Sequence, residues 1–190
     1  MLILASSSPY RKLLLERLGH AFEIRSPRID ETPLENEQPL ALVRRLARQK
    51  ADKVAALEPG ALVIGSDQLA VFGDEIIGKP GTLENNIRQL TRFSGQHVVF
   101  NTALCVMRRS DGFIFETNVP TEVHFRDLSA EEIERYVTRE QAVDCAGGFK
   151  SESGGIALFR QIRSDDPTAL IGLPLIALSF ALRKAALPIP

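Results

Sequence analysis

Cysteine and histidine are scarce in this chain of 190 residues, which has two cysteines and three histidines. Cys105 and Cys145 lack the spacing of a metal-binding pair, and two thiols do not make a disulfide framework. We expect both to be small buried apolar side chains in a reducing compartment. His20, His97 and His124 also lack metal-ligand spacing. The sequence therefore gives no sign of a thiol- or imidazole-based metal site.

An excess of positive charge is absent as well, because the formal net charge is −1. Without a global positive field, long DNA or RNA is a poor candidate for the main partner. A small polyanion can still bind in a locally basic pocket, which the net charge does not exclude.

Long apolar runs are missing too. The longest, over 169–182, contains a glycine and a proline and falls short of the ~20 residues that span a bilayer. The apolar start, Met1 to Ala5, is too short for the core of a signal peptide, and no basic residue precedes it. We expect a cytoplasmic protein with no membrane partner.

What the chain does have is an ordinary globular composition, 44% hydrophobic and 25% charged residues. We find no repeat, low-complexity tract or linker, so residues 1–190 are expected to form a single domain. Apolar spacing predicts helices over 10–18, 38–57, 82–93, 129–139 and 173–186, and strands over 2–5, 61–64, 69–72, 75–77, 97–107, 113–125 and 156–159. This order predicts an α/β fold with a mixed sheet and flanking helices.

The first strand runs through three serines into a helix. Ser6 to Ser8 supply candidates for the N-cap, and Pro9 suits the first turn. Free N–H groups at such a start bind anions, which would also explain Arg11 and Lys12 in a turn where the helix dipole disfavours cations. An ordinary capped helix with a solvated basic end is the alternative.

Two acidic segments are candidates for chemistry. Asp30 and Glu31 can ligate a hard cation such as Mg²⁺, or form a solvated acidic turn. Gly65 to Gln68 is expected to follow a buried strand, where α/β proteins place their sites. Gly65 there lets a ligand or another backbone approach closely. Asp67 is then a general base for water, a metal ligand or both, unless it only closes its own turn.

Three lysines are candidates for a binding site: Lys50 on the predicted helix over 38–57, and Lys79 and Lys150, each close to a glycine. A single lysine is usually solvated, so only convergence on one pocket would give them a shared role. No Walker A sequence and no G-x-G-x-x-G is present.

These segments together resemble the Maf-like family of nucleotide pyrophosphatases. The start Leu2-Ile3-Leu4-Ala5-Ser6-Ser7-Ser8-Pro9-Tyr10-Arg11 is similar to the family's signature, a strand followed by Ala-Ser-x-Ser-Pro-x-Arg. The later matches, in order along nearly the whole chain, are Asp30-Glu31, Ala47-Arg48-Gln49-Lys50-Ala51, Gly65-Ser66-Asp67-Gln68, Gly78-Lys79-Pro80, Ala146-Gly147-Gly148-Phe149 and Gly172-Leu173-Pro174.

The resemblance implies the fold of inosine triphosphate pyrophosphatases, with two lobes around a cleft. It implies a hydrolase that cuts a nucleoside triphosphate between the α and β phosphates and requires a divalent cation, Mg²⁺ or Mn²⁺. By similarity, Asp67 is the proton acceptor, and Glu31 and Asp67 hold the metal. The substrate-binding residues would be Ser6, Ser8, Arg11, Lys50, Lys79 and Lys150. The division of roles between Glu31 and Asp67 stays open.

Three positions concern specificity. The branch of the family that prefers dTTP and UTP usually has Arg, Thr and Gln where this chain has Tyr10, Gln68 and Glu152. The chain is more similar to the branch that acts on 7-methyl-GTP, although that branch often carries Trp at the position of Tyr10. Methylation at N7 makes guanine cationic, and an aromatic face attracts a cation by ~0.5–2 kcal/mol. Glu152 would accept guanine N–H bonds and offset the charge.

The resemblance thus implies an enzyme that removes a modified nucleotide from the pool. The alternatives are a dTTP or UTP pyrophosphatase of the sister branch, or a nucleotide-binding regulator of septum formation linked to cell division arrest. A homodimer is compatible with the sequence, which leaves the oligomeric state open.

Overall fold

The computed structural model describes all 190 residues, from Met1 to Pro190. Seven strands and five α-helices alternate in the order β1 Leu2–Leu4, α1 Pro9–Glu16, β2 Glu23–Ile24, α2 Pro39–Ala55, β3 Leu62–Phe72, β4 Glu75–Ile77, α3 Leu83–Phe93, β5 His97–Arg108, β6 Phe113–Phe125, α4 Ala130–Glu140, β7 Phe159–Ser164 and α5 Leu175–Lys184. Parallel and antiparallel strand pairs both occur, which confirms the predicted α/β fold with a mixed sheet. None of the helices combines the length and the apolar character that crossing a bilayer requires.

The chain divides into two compact units, each made of separate stretches. The first unit contains residues 1–68, 102–119 and 166–190, and the second contains residues 69–101 and 120–165. Strands β3, β5 and β6 contribute residues to both units. The expectation of a single domain over 1–190 stays a prediction.

In the first unit, the strands follow the order β2-β1-β3-β5-β6. Strand β1 is parallel to β2 and to β3, with Leu2 opposite Leu62 and Leu4 opposite Ile64. Parallel strands need cover on their faces, which explains why β1 is a continuous apolar run. The cover includes α1 and α5, whose apolar side chains join the core: Leu14, Leu15, Leu178, Ala181 and Leu182.

In the second unit, the strands follow the order β4-β3-β5-β6-β7. The pairs β3–β4 and β6–β7 are antiparallel. Six phenylalanines pack against each other with ring centroids 4.8 to 5.7 Å apart, a spacing typical of aromatic clusters; they are Phe72, Phe93, Phe100, Phe125, Phe149 and Phe159. Helix α4 begins with the predicted capping box of Ser129 and Glu132.

The serine-rich start of α1 is confirmed as a capped helix. Ser8 is the N-cap, and its Oγ accepts a hydrogen bond from the backbone N of Arg11 at 3.4 Å. Pro9 occupies the first helical position, where its missing N–H costs nothing. Lys12 lies 3.7 Å from Glu16 one turn later, in an exposed ion pair.

Two expectations about strands are wrong, and one strand was not expected. Residues 65–68 form no turn, because β3 continues through them to Phe72. The apolar segment 156–159 is mostly a 3-10 helix, Gly154–Leu158, and Ile156 is 55% exposed. The strand follows it as β7, a polar edge strand that lacks an apolar alternation. The two-residue strand β2 is exposed and gave no apolar signal.

Candidate functional site

Lys50 is the centre of the candidate site, which lies within the first unit. It projects from the buried face of α2 and is only 6% exposed. Its Nζ lies 2.6 Å from Asp67 Oδ1 and 2.8 Å from Glu31 Oε1. A buried ammonium is strongly disfavoured unless carboxylates compensate its charge. One cation therefore brings together two carboxylates that are 36 positions apart in the sequence.

Strand β3 positions Asp67, which is 6% exposed. At Gly65 the backbone of α2 comes so close that an added Cβ would lie 2.3 Å from the carbonyl oxygen of Ala47 and 2.7 Å from Ala51 N. The glycine thus admits a neighbouring helix, one of the two alternatives that the sequence left open. This contact lets the side chain of Lys50 on α2 reach Asp67 on β3.

Glu31 is exposed but held by its neighbours. Asp30 closes a turn by accepting a hydrogen bond from Thr32 N at 2.9 Å, and hydrogen bonds from Thr32 lower the pKa of Asp30. Arg45 donates to the carbonyl oxygen of Thr32 at 3.1 Å and to both carboxylate oxygens of Glu37 at 2.7 Å. The hydrogen bonds from Arg45 lower the pKa of Glu37 to about 2. Of the predicted acidic pair, only Glu31 reaches Lys50.

Arg11 is the second cationic group of the site. Its Nε donates to the carbonyl oxygen of Gly172 at 2.8 Å, and its Nη1 donates to Ser6 Oγ at 3.4 Å. Burial lowers the pKa of Arg11, while the negative charges of Asp67 and Glu31 raise it. Arg11 and the Lys50 cluster therefore share one electrostatic environment.

Residues 166–174, here named the carbonyl segment, accept hydrogen bonds from several side chains of the site through their backbone carbonyl oxygens. The carbonyl oxygen of Gly172 also accepts from Ser66 Oγ at 3.0 Å. The segment is fixed by Asp166, which is 2% exposed and accepts from Thr168 N, Thr168 Oγ1 and the N–H groups of Ile176 and Ala177 at the start of α5. Backbone acceptors thus orient the side chains that enter the site.

Gln68 is fixed by the same segment. Its Nε2 donates to the carbonyl oxygens of Ala169 at 2.9 Å and Leu170 at 3.0 Å, and to Thr102 Oγ1 at 3.0 Å. Thr102 is fully buried. The side chain of Gln68 is half-buried and does not rotate freely.

The two predicted serines have different positions. Ser6 is 4% exposed, and its Oγ accepts from Ser8 N at 3.1 Å as well as from Arg11. Ser8 is the helix cap described above. Tyr10 is half-buried in the first turn of α1. All three lie in the first unit with Arg11.

The chemistry of the two carboxylates fits a hard divalent cation. Two carboxylate oxygens already converge on one positive group at 2.6 and 2.8 Å. Oxygen donors suit Mg²⁺ and Mn²⁺, which commonly take one or two carboxylates and complete their shell with phosphate and water. The chain has no group of three or more His, Cys, Asp or Glu side chains that would hold a metal alone. Phosphate oxygens and water would then supply the remaining ligands.

Lys79, Lys150 and Glu152 belong to the second unit. Lys79 and Glu152 are exposed. Lys150 Nζ donates to the carbonyl oxygen of Glu140 at 3.1 Å, at the last residue of α4, so it acts as a helix C-cap. Its backbone N donates to the hydroxyl of Tyr136 at 3.0 Å, and burial raises the pKa of Tyr136 to about 12. Their predicted roles toward a substrate stay predictions.

Sequence reasoning missed the residues that support the site. Thr102 looks like any threonine in a strand, and Asp166 follows another aspartate in a polar stretch. Carbonyl oxygens leave no trace in a sequence. The one available signal was the glycine of Gly172-Leu173-Pro174. In the structure Gly172 has a φ of +118°, which favours glycine, and an added Cβ would lie 3.5 Å from Arg11 Nε.

Comparisons with known proteins identify the family of the chain. A family model described as Maf-like protein matches residues 1–185. A 7-methyl-GTP pyrophosphatase of Aromatoleum aromaticum is 53% identical over 100% of this chain and 97% of its own length. A protein of the same name from Nitrosococcus oceani is 53% identical over 99% of this chain and 94% of its own length.

The solved structure of the Staphylococcus aureus Ham1 protein is similar with a TM-score of 0.48 and 14% identity, over 81% of this chain and 88% of that one. The family assignment depends instead on the family model and on the relatives of about half identity, both of which extend over nearly all of the sequence. The chain belongs to the Maf-like protein family.

Proposed function

We propose that the chain is a nucleoside triphosphate pyrophosphatase that hydrolyses 7-methyl-GTP to 7-methyl-GMP and diphosphate. The observation that carries the proposal is the cluster in which Nζ of the buried Lys50 contacts Asp67 and Glu31, two carboxylates that also raise the pKa of Arg11. The names of relatives that are 48 to 53% identical over at least 98% of this chain support the choice of substrate.

The positive groups of the cluster suit a triphosphate. The phosphate chain carries several negative charges that repel an attacking water, and cationic side chains offset them. Arg11 is held in place by Gly172 and Ser6, so it meets the phosphates without a large loss of conformational freedom. Ser6 and Ser8, at the start of α1, add hydroxyl and N–H groups that favour anions.

Asp67 is the better candidate for the proton acceptor. It is buried on a strand and oriented by Lys50 at 2.6 Å, whereas the side chain of Glu31 is 59% exposed on an irregular segment. A fixed carboxylate within reach of a water can take its proton as the water attacks. Glu31 is then left to bind the cation together with Asp67.

A divalent cation held by Glu31 and Asp67 would neutralise phosphate charge and polarise the phosphoryl oxygen. It also removes an apparent conflict, because two carboxylates beside a phosphate chain would weaken the binding of an anion without a cation between them. Removal of the metal is therefore expected to abolish turnover.

Tyr10 and Gln68 support the preference for a methylated guanine. Tyr10 offers an aromatic ring at the start of α1, and a cationic base gains about 0.5–2 kcal/mol over such a face. Gln68 offers an amide oxygen in the same unit. We assign Glu152 to the base as well, as a carboxylate that accepts N–H bonds.

A substrate panel tests the proposal. The purified protein is incubated with 7-methyl-GTP, GTP, UTP or dTTP, with Mg²⁺ or Mn²⁺ and with a chelator instead. We expect diphosphate release that requires the metal and a kcat/KM for 7-methyl-GTP at least tenfold above the others. Release of orthophosphate would contradict the proposed cleavage between the α and β phosphates. Equal or faster turnover of UTP would contradict the proposed preference for 7-methyl-GTP.

A further inference from the structure

Gln68 is held with one end of its side-chain amide turned inward. Its Nε2 carries two hydrogens and faces three oxygens, those of Ala169, Leu170 and Thr102, at 2.9 to 3.0 Å. The two backbone carbonyls only accept hydrogen bonds. An amide turned by 180° would place its own oxygen against them, so the orientation with Nε2 inward is strongly favoured.

Thr102 completes this arrangement. Its Oγ1 donates its single hydrogen to the carbonyl oxygen of Ala169 at 2.9 Å, so toward Gln68 the hydroxyl can only accept. The side chain of Thr102 is fully buried, and its hydroxyl bonds only to Ala169 and Gln68. The residue therefore links the carbonyl segment to the position of the glutamine amide.

The oxygen of the Gln68 amide has no hydrogen-bond partner within the chain, yet it is not among the buried side-chain atoms left unsatisfied. The amide oxygen of Gln68 is thus accessible to solvent as a hydrogen-bond acceptor, while its Nε2 hydrogens are bonded to oxygens within the chain. Guanine offers two adjacent donors, N1–H and the 2-amino group. Uracil offers a single N–H that lies between two carbonyl oxygens. Those carbonyl oxygens are repelled by an acceptor such as the amide oxygen of Gln68.

We propose that Thr102 is a positioning residue that fixes Gln68 as an acceptor, so that the site prefers bases with adjacent N–H donors. The part of this inference that concerns the base rests on the proposed function. Thr102 itself touches no substrate in this account and acts only through Gln68.

The test uses Thr102→Val, which keeps the shape of the side chain but puts a methyl group 3.0 Å from Gln68 Nε2. This distance is inside van der Waals contact, so the amide has to move and loses a partner. We expect kcat/KM for 7-methyl-GTP relative to UTP to fall about three- to tenfold, the range that one hydrogen bond represents. Thr102→Ser keeps the hydroxyl and should retain most of the wild-type preference.

Thr121→Val is the matched control. Thr121 is also a fully buried strand threonine, and its Oγ1 bonds Ser164 Oγ at 2.9 Å in the second unit. Both valine variants lose one buried hydroxyl, but only Thr102→Val should change the preference. An equal ratio in the two variants would overturn the inference while leaving the proposed function intact. Should Thr102→Val fail to fold, Thr102→Ala removes the same hydroxyl without adding a methyl group in its place.

A second readout does not depend on hydrolysis. In ¹⁵N-labelled protein, the two Nε2 protons of Gln68 should exchange slowly with solvent, because both are bonded to buried oxygens. Thr102→Val should speed their exchange, and Thr121→Val should not. Unchanged exchange in Thr102→Val would contradict the positioning role even if 7-methyl-GTP were not the substrate.

Discussion

The two thiols of the chain lie in different surroundings. Cys105 is 1% exposed on β5, and burial raises its pKa to about 12. Cys145 is only half-buried, so the expectation that both are buried is wrong for this residue. The reason is position, because Cys145 lies next to the short 3-10 turn Ala146–Gly148 rather than inside a strand.

This difference predicts selective labelling. At pH 8 a thiol with a pKa of about 12 is ionised in only about one molecule in ten thousand, and the thiolate is the reactive form. Iodoacetamide should therefore modify Cys145 in the native protein and Cys105 only after denaturation, as mapped by mass spectrometry. Cys145→Ser should abolish the fast reaction. Equal rates at the two thiols would contradict the buried position of Cys105.

At the same scale, the sequence predicted part of the site. The resemblance to the Maf-like family placed Lys50, Asp67 and Glu31 in one phosphate and metal region, and the structure brings these three side chains together. Their supports could not be predicted, because a hydrogen bond to a backbone carbonyl depends on tertiary position and not on residue type. Gly172, which accepts from both Arg11 and Ser66 through its carbonyl oxygen, is an example.

At the scale of elements, the contact between α2 and β3 determines where Lys50 meets Asp67. The two elements approach closely at Gly65, where the atoms nearest to an added Cβ belong to the backbone of α2. A helix backbone cannot move aside as a flexible side chain can. The separation of the two elements is thus fixed by the absence of a side chain at one position.

We predict that Gly65→Ala lowers the free energy of unfolding by about 1–3 kcal/mol, since the added methyl forces α2 away from β3. Urea denaturation measures the change. Gly60→Ala is the control, because a Cβ added at Gly60 has no atom within 4 Å. This variant should change the free energy of unfolding by less than about 0.5 kcal/mol. A Gly65→Ala protein as stable as wild type would show that the approach of α2 is looser than described.

Elements with a clear apolar period were predicted well, whereas strand β7 was misplaced and strand β2 was missed. Helices α2, α3 and α4 agree with the expected ranges within a few residues, and so do the long strands β5 and β6. Strand β7 is a mostly exposed edge held by its hydrogen bonds to β6, so its sequence carries no apolar signal. Residues 65–68 resembled a turn because Gly, Ser and Asp are common turn residues.

At the scale of the whole molecule, the net charge is near zero, although charged side chains are concentrated around Lys50. With a formal charge of −1, the chain offers no general attraction to polyanions. The two cationic side chains of the candidate site, Lys50 and Arg11, are each positioned by their own ion pair or hydrogen bond within the first unit. Whole-chain composition could exclude classes of partner, but only the fold could show which charges meet.

The proposed reaction depends on Asp67 as the group that accepts the proton of the attacking water. The most direct measurement is metal-dependent diphosphate release from 7-methyl-GTP by wild type, by Asp67→Asn and by Asp52→Asn. Asp52 is the control, because this aspartate of α2 likewise pairs with a cation, Arg109 at 2.6 Å, but forms no ion pair with Lys50. Thermal unfolding of each variant verifies that it is folded. We predict that Asp67→Asn loses at least about 100-fold in kcat while Asp52→Asn retains wild-type activity, and wild-type turnover by a folded Asp67→Asn would contradict the account.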